Sequence, residues 1–463
     1  MNQNESIKNM CIIDIINSPN ESELIISINN ATKQVISKGI VFSKSEIIKC
    51  CREKKASSSN IWTKQVARNL GALLKQIKRY KKLRELRETN INSSESELCC
   101  FGTFYDNVKY QNTNFKISFS QISCGGSHLV GLSDGNIYTW GKNIFGQLGN
   151  NSLNKEMVPT IINIPSCKYI SAGFSTSSFI TTDGKIYSCG ATDNGRLGIE
   201  CVLGKTCMIP TKVKHDFIAT KICSGSTNQI ALSDEHHIYT WGSKYYCGMD
   251  TDVDILYPTK ILEDTKFNNI SLGIGGYHMM VESLAGYVYT WGHNEMGQLG
   301  FAIGKGTSQN EFNEPCCQLP TLVESAKDLY IKSMSAGWGN SAFVSYDGKA
   351  YICGRNIRGQ VGVDPSICKM NKLTFAYVEK FTCLTSLSHE NIEKVVCGGE
   401  HCAAITKDGK LYLWGDNSYN QLCTYTLGCT YTPKMVNGLT KVLDICLGTS
   451  STFIQKKNNL EEK

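Results

Sequence analysis

Three histidines, a run of aspartates and 22 cysteines are the side chains of this 463-residue chain best suited to chemistry. His128, His278 and His401 share one context, Gly-Gly-x-His. A catalytic histidine works beside one nucleophile or substrate proton at hydrogen-bond distance. A context that occurs three times points instead to a residue that bonds a neighbouring strand or turn. Asp250, Asp252 and Asp254 form the run MDTDVD. D-x-D-x-D can open a calcium loop, but the later Gly and Glu of an EF-hand do not follow. The run therefore reads as an acidic loop facing a basic partner, or as a solvated loop. No C-x-x-C occurs, and the adjacent pairs Cys50–Cys51, Cys99–Cys100 and Cys316–Cys317 would point to opposite faces of a strand. No metal site, cofactor or phosphate-binding loop is expected, and bond-making catalysis is not expected either.

The elements that must position these residues repeat. Tyr138, Trp140 and Gly141 in YTWG return as Tyr239, Trp241 and Gly242, as Tyr289, Trp291 and Gly292, and as Tyr412, Trp414 and Gly415. Two copies carry cysteine for tryptophan, at Cys189-Gly190 and Cys353-Gly354, and a worn copy stands at Phe101-Gly102. The glycines are 39, 49, 52, 50, 62 and 61 residues apart, which makes seven units. Upstream of six of the seven aromatic-glycine copies lies a second element, such as ISCGGSHLVGLSDG at 122–135 and VVCGGEHCAAITKDG at 395–409. Its last copy, at 445–459, has no aromatic-glycine partner after it, and Phe101-Gly102 has no such element before it. The two orphans complete each other only in a closed ring.

Runs of Val, Ile, Leu and Tyr separated by Asp-Gly read as strands joined by hairpin turns. Strand-rich repeats of this period form propellers, whose closure removes exposed sheet edges. The expected fold is all-β: a seven-bladed β-propeller over about 98–456, its last blade built from both ends of the chain. The repeat tryptophans and Gly-Gly-x-His histidines are then structural. A polar tail, 457–463, follows.

The double signature, G-G-x-H…D-G-x-x-Y-x-W-G and then N-x-x-G-Q-L-G, resembles the regulator of chromosome condensation family. WGKNIFGQLG (140–149), CGATDNGRLG (189–198), WGHNEMGQLG (291–300) and CGRNIRGQVG (353–362) carry it; WGDNSYNQLC (414–423) fits less well and WGSKYYCGMD (241–250) keeps the first half. The resemblance implies the propeller and a choice of tasks. The family's founding member exchanges nucleotide on the small GTPase Ran and docks on nucleosomes. In that exchange factor acids stand beside the repeat histidine of some blades, and a hairpin wedge follows the third aromatic-glycine copy. Here only Glu400 among the residues before the histidine position is acidic, and the loop after Gly190 has ordinary length. The expected function is therefore a non-enzymatic, regulatory propeller that binds a protein partner through one face and its long inter-blade loops. Exchange on a Ran-like GTPase is the alternative. Candidate partner residues are Asp250, Asp252, Asp254, Glu400 and Trp338, an aromatic in the glycine turn GWGN. Two connections longer than the rest, 301–333 and 363–394, are candidates to frame a docking surface.

Residues 1–97 are different material. In 61–88, Trp62, Val66, Leu70, Leu73, Ile77 and Tyr80 recur at helical steps. The segment's basic residues include Lys75, Lys78, Arg79, Lys81, Lys82 and Arg84, and its excess of seven positive charges equals the net charge of the chain. Three readings stand: a helix packed on the propeller with a solvated basic face, a foot on nucleic acid or nucleosomes, and a nuclear import address. A basic amphipathic helix also suits an anionic membrane or calmodulin. No apolar run of membrane-spanning length occurs, and the short CIIDII near the N-terminus lacks a preceding basic region. An intracellular monomer, nuclear or cytoplasmic and with reduced thiols, is expected.

Overall fold

The computed structural model describes residues 96–104, 108–109 and 117–457, apart from 274, 305–307, 328, 373–374, 425–426 and 440. The basic segment 61–88, with its expected helix, lies outside the described residues.

Seven antiparallel sheets of four or five strands follow one another around a ring. Blade 1 is typical, with strands at Gln121–Cys124, His128–Ser133, Asn136–Gly141 and Glu156–Ile161. Its second and third strands are nearly wholly buried, whereas the fourth is half exposed and forms the rim. Blades 2, 3 and 6 repeat this plan over 167–212, 219–261 and 392–435. The seventh blade is composite. Its strands Val442–Leu447 and Ser451–Lys457 come from the C-terminal end, and Ser96–Phe104 pairs antiparallel with the latter from Ser96 opposite Lys457 to Gly102 opposite Ser451. Phe101-Gly102 thus supplies the aromatic-glycine element for the C-terminal repeat.

The core is divided among the junctions, because each sheet buries its face against the next. Between blades 3 and 4, for example, Trp291 packs with Ile230, Leu232, Ile238 and Met279. Between blades 7 and 1, Leu98, Phe119, Trp140 and Phe453 share one cluster. A fully buried tryptophan removes on the order of 200 Å² from water, which is why the aromatic recurs.

The glycine after each tryptophan has a steric reason. Gly292 has φ +104°, and a Cβ there would lie 2.2 Å from the Tyr277 carbonyl oxygen. Gly190, Gly242 and Gly415 meet the same obstacle at 2.3, 2.3 and 2.6 Å. Only glycine lets the third strand pass so close to the turn before the second strand.

The length added to blades 4 and 5 is placed differently from the sequence reading. Most of it lies inside the blades, between the third and fourth strands, where Ser308–Gln309 and Lys369–Met370 add a short fifth strand to each sheet. The connections between blades 4, 5 and 6 gain only the 3-10 turns Glu324–Ala326 and Thr385–Leu387. Edge strands satisfy backbone groups of the longer loops, a pairing that repeat spacing alone does not reveal.

The cysteines also depart from expectation. Cys124 and Cys446 are joined in a disulfide, with Cα atoms 5.8 Å apart and 322 residues between them in sequence. Seventeen other described cysteines are free, most of them buried. Ring closure brings the pair together, so no spacing along the chain announces it.

Candidate functional site

The three repeat histidines are fully buried and serve the junctions. His128 Nε2 lies 2.8 Å from Ser177 Oγ of the next blade, and that hydroxyl donates to the Gln147 carbonyl at 2.7 Å. The hydroxyl has spent its proton, so the imidazole is the donor, through Nε2. His278, Ser341 and the Gln298 carbonyl repeat the relay, as do His401, Thr452 and the Gln421 carbonyl. Burial lowers the histidine pKa values to about 3 for His128 and His278 and about 4 for His401. They are neutral hydrogen-bond donors.

The tryptophans perform the same task at other junctions. Trp241, Trp291 and Trp414 donate Nε1–H to the carbonyls of Arg196, Tyr246 and Gln360 in the preceding blade, at 3.1, 3.0 and 2.9 Å. The two devices exclude each other at a junction. Histidine occurs in blades 1, 4 and 6, and the blade after each carries Cys189, Cys353 or Phe101 in place of tryptophan, with Ser177, Ser341 or Thr452 to complete the relay. Where Thr176, Asn228, Asn340 or Ser451 holds the histidine position, the next blade has its tryptophan. The requirement is a donor for a buried loop carbonyl, and either residue meets it.

One face of the ring holds all five residues singled out as partner contacts. The turns between first and second strands and the loops between third and fourth strands open at this end, since Gly292 pairs with His278 and with Cys317. The turns are linked to one another. Gly126 N donates to Gly173 O, Phe174 N to Gly225 O, Trp338 N to Gly398 O and Gly399 N to Gly448 O, at 3.1–3.2 Å. Thr449 Oγ1 bonds Gly126 O at 3.0 Å and carries the series across the closure.

Trp338 and Phe174 rise from these turns about 40% exposed. They flank Gly275 of blade 4, where a Cβ would sit 3.6 Å from the Phe174 ring and 3.7 Å from the Trp338 ring. Phe145, Phe312, Met370 and Tyr419 are exposed on loops at the same end. Trp338 gives its backbone N–H to the turn series and leaves its ring exposed.

The acids divide into two kinds. Asp250 and Asp252 are exposed. Asp254 instead accepts from Asn194 Nδ2 at 2.9 Å and from the Lys244 backbone N–H at 3.0 Å, tying blade 3 to blade 2. Glu400 is committed as well. Arg355 Nη1 lies 2.6 Å from its Oε1, and Gln360 Nε2 donates to its Oε2. Burial raises the Glu400 pKa more than the Arg355 guanidinium lowers it. Arg355 and Gln360 were not candidates from the sequence. Their positions in the CGRNIRGQ copy were legible, but the pairing across blades 5 and 6 was not.

Among the described residues, His293, Glu295 and Glu314 bring their polar atoms within 4.8 Å of one another. The local chemistry favours a hydrogen-bonded cluster. Gln298 accepts the Met296 N–H with Oε1, so its Nε2 donates to His293 Nδ1, at 2.9 Å. Nδ1 is therefore an acceptor and Nε2 holds the proton, 3.2 Å from Glu314 Oε2. The neighbouring His293 side chain is the largest cause of the lowered Glu314 pKa.

The regulator of chromosome condensation (RCC1) repeat matches residues 119–147, 331–360 and 392–421 in one form and 134–180, 285–344, 347–405 and 408–455 in another. The chain is 26% identical over 312 residues to the ultraviolet-B receptor UVR8 of Arabidopsis thaliana, covering 65% of this chain and 66% of the receptor. It is 29% identical over 346 residues to the E3 ubiquitin-protein ligase HERC2 of Homo sapiens, covering 71% of this chain and only 6% of the ligase. Against Schizosaccharomyces pombe pim1 it is 27% identical over 337 residues, covering 65% of this chain and 59% of pim1. The structure of Saccharomyces cerevisiae Prp20p superposes with a TM-score of 0.65 at 20% identity, over 80% of this chain and 93% of Prp20p. Human WBSCR16 gives 0.65 at 17% identity, over 78% and 98%. These similarities of structure establish the fold.

Proposed function

This chain belongs to the regulator of chromosome condensation (RCC1) repeat family, and on that premise we propose that it is a regulatory propeller that binds a protein partner on the face carrying Trp338 and Phe174. The observation that carries this reading is the pair of exposed aromatics held over Gly275 by hydrogen-bonded turns. Exposed aromatics on a rigid frame lose little entropy on binding and are enriched at interface hot spots. The acidic side chains of Asp250 and Asp252 and the loops around Phe312 and Met370 form the periphery of the same face. A photo-crosslinking residue at position 338 tests it, with Tyr287, an exposed residue in a hairpin turn of the opposite face, as the control position. The reading requires a partner captured from position 338 and not from 287, with capture lost in Phe174→Ala. Equal capture from both positions would count against it.

Nucleotide exchange on a Ran-like GTPase is the second reading. It is supported by the structural neighbour Prp20p, whose structure is described together with its binding to Gsp1p and histones. On this reading the basic segment 61–88 is the chromatin tether. Release of a fluorescent GDP analogue from a Ran-type GTPase tests exchange directly. A hundredfold acceleration supports it, and a flat rate with folded protein removes it. Loss of nuclear localisation on deletion of 75–88 tests the tether or import role of the segment.

A further inference from the structure

The first strands of neighbouring blades share a repeated contact. Ser123 Oγ accepts the Ala172 N–H, Ser171 Oγ the Ser224 N–H, and Ser271 Oγ the Ala336 N–H, each at 2.9 Å. Ser335 Oγ accepts the Cys397 N–H at 3.0 Å. In each pair the serine precedes by two residues the first glycine of its turn, and the acceptor's partner is the residue directly before that glycine in the next blade. Cys446 and Cys124 hold those two positions at the junction of blades 7 and 1. There the hydrogen bond is replaced by the disulfide.

That junction differs from the others in its connectivity. Blade 7 joins the two ends of the propeller through the pairing of Ser96–Phe104 with Ser451–Lys457, while its C-terminal hairpin is bonded to blade 6 through His401–Thr452, Lys394–Asp444 and Gly399–Gly448. The C-terminal hairpin, 442–457, is the last strand pair of the ring, so no other blade is threaded through it. Side-chain ties across the closure include Thr449 Oγ1 to Gly126 O, and Gln455 Nε2 to Phe119 O at 2.7 Å, beside the apolar packing of Phe453 with Phe119 and Trp140. The bond from Cys446 to Cys124 adds a covalent tie between this hairpin and blade 1. We propose that the Cys124–Cys446 pair is a redox latch that controls release of the C-terminal hairpin, and with it the opening of the propeller.

The chemistry is thiol–disulfide exchange. One thiolate of a small dithiol attacks a protein sulfur, breaking the S–S bond and forming a mixed disulfide; the other protein sulfur leaves and takes a proton. The second thiolate of the reagent then displaces the remaining protein sulfur, which also takes a proton. Two electrons pass to the protein, and the reagent ends as its own disulfide. A small-molecule disulfide runs the sequence in reverse. Cys124 and Cys446 are only 1% and 7% exposed, so a reductant reaches them when the junction opens. The latch therefore releases slowly from a closed ring.

The test uses the full-length protein with thiols alkylated at the moment of lysis. Digestion without reductant should yield the Cys124 and Cys446 peptides joined; recovery of both as alkylated peptides overturns the proposal. Amide exchange then compares oxidised protein with protein treated with dithiothreitol. Reduction should speed exchange at least tenfold in 442–457 and in 96–104 while leaving blade 3, 219–261, unchanged. Equal protection in both states shows a bond that does not latch and overturns the proposal. Cys446→Ser places at this position the hydroxyl already used at Ser123, Ser171, Ser271 and Ser335. It should exchange at the reduced rate with or without dithiothreitol. If it remains sensitive to dithiothreitol, another cysteine is responsible and the latch is refuted. Cys124→Ala, with the residue found at Ala172 and Ala336, provides the second variant with the same expected outcome.

Discussion

Acidification should destabilise this propeller through its three buried histidines. The perturbation is a shift from pH 7 to pH 5. In the folded ring burial depresses the pKa values to about 3 for His128 and His278 and about 4 for His401, against an ordinary 6.5 in the unfolded chain. Below pH 6.5 the unfolded state therefore binds protons that the folded state refuses, and stability falls as pH falls. It is fully present above pH 6.5 and is lost progressively down to pH 3–4. Each histidine should contribute about 1.4 kcal/mol per pH unit in that window. At pH 5 that amounts to about 2 kcal/mol per histidine, or about 6 for three, a large share of a typical domain's stability of about 5–15 kcal/mol. Urea unfolding midpoints at half-unit pH steps between 7 and 5 measure it. His215 and His237 shift in the same direction, so the diagnostic is a difference in slope. His401→Asn, using the residue found at Asn228 and Asn340, should lower the slope by one proton. The same slope in wild type and variant, or a His401 pKa near 6.5 in the folded protein, would refute the reasoning.

Other consequences are smaller or more local. Trp414→Phe removes the Nε1–H donor to the Gln360 carbonyl and should cost about 1–3 kcal/mol in urea unfolding, because a buried acceptor is left unpaired; a change within 0.5 kcal/mol would show that the carbonyl finds another partner. Gly292→Ala puts a Cβ 2.2 Å from the Tyr277 carbonyl and should cost about 3 kcal/mol or more, read as loss of soluble folded protein or a large fall in Tm. Arg355→Met leaves the Glu400 carboxylate, with a side chain only 19% exposed, without its cation. A cost of about 2–4 kcal/mol is expected, and Glu400→Gln in the same background should recover part of it. Trp338→Ala, by contrast, should leave the melting curve within about 0.5 kcal/mol of wild type and act on partner capture.

Sequence reading missed what depends on closure. The added length of blades 4 and 5 looked like linkers, because spacing counts residues without showing that Ser308–Gln309 and Lys369–Met370 pair back onto their own sheets. Glu400 looked like a free acid beside a histidine, yet Arg355 from the preceding blade occupies it. The exchange between histidine and tryptophan was present in the letters all along. It becomes readable once the ring shows that position 128 faces position 177, and that Trp291 faces the carbonyl of residue 246.

The sequence by itself determined the repeat, the strand character of each unit, the count of seven and the need for a composite blade. Those properties are local or periodic: alternation, Asp-Gly turns and a recurring aromatic-glycine pair state them within about fifty residues at a time. Tertiary structure alone decided which side chains meet across blade junctions. It placed Phe174 beside Trp338 over Gly275, bound Asp254 to Asn194, and brought Cys124 to Cys446 across 322 residues. The physical reason is that a propeller brings neighbouring blades together through the curvature of the whole ring, and no single repeat contains the information about how that ring closes.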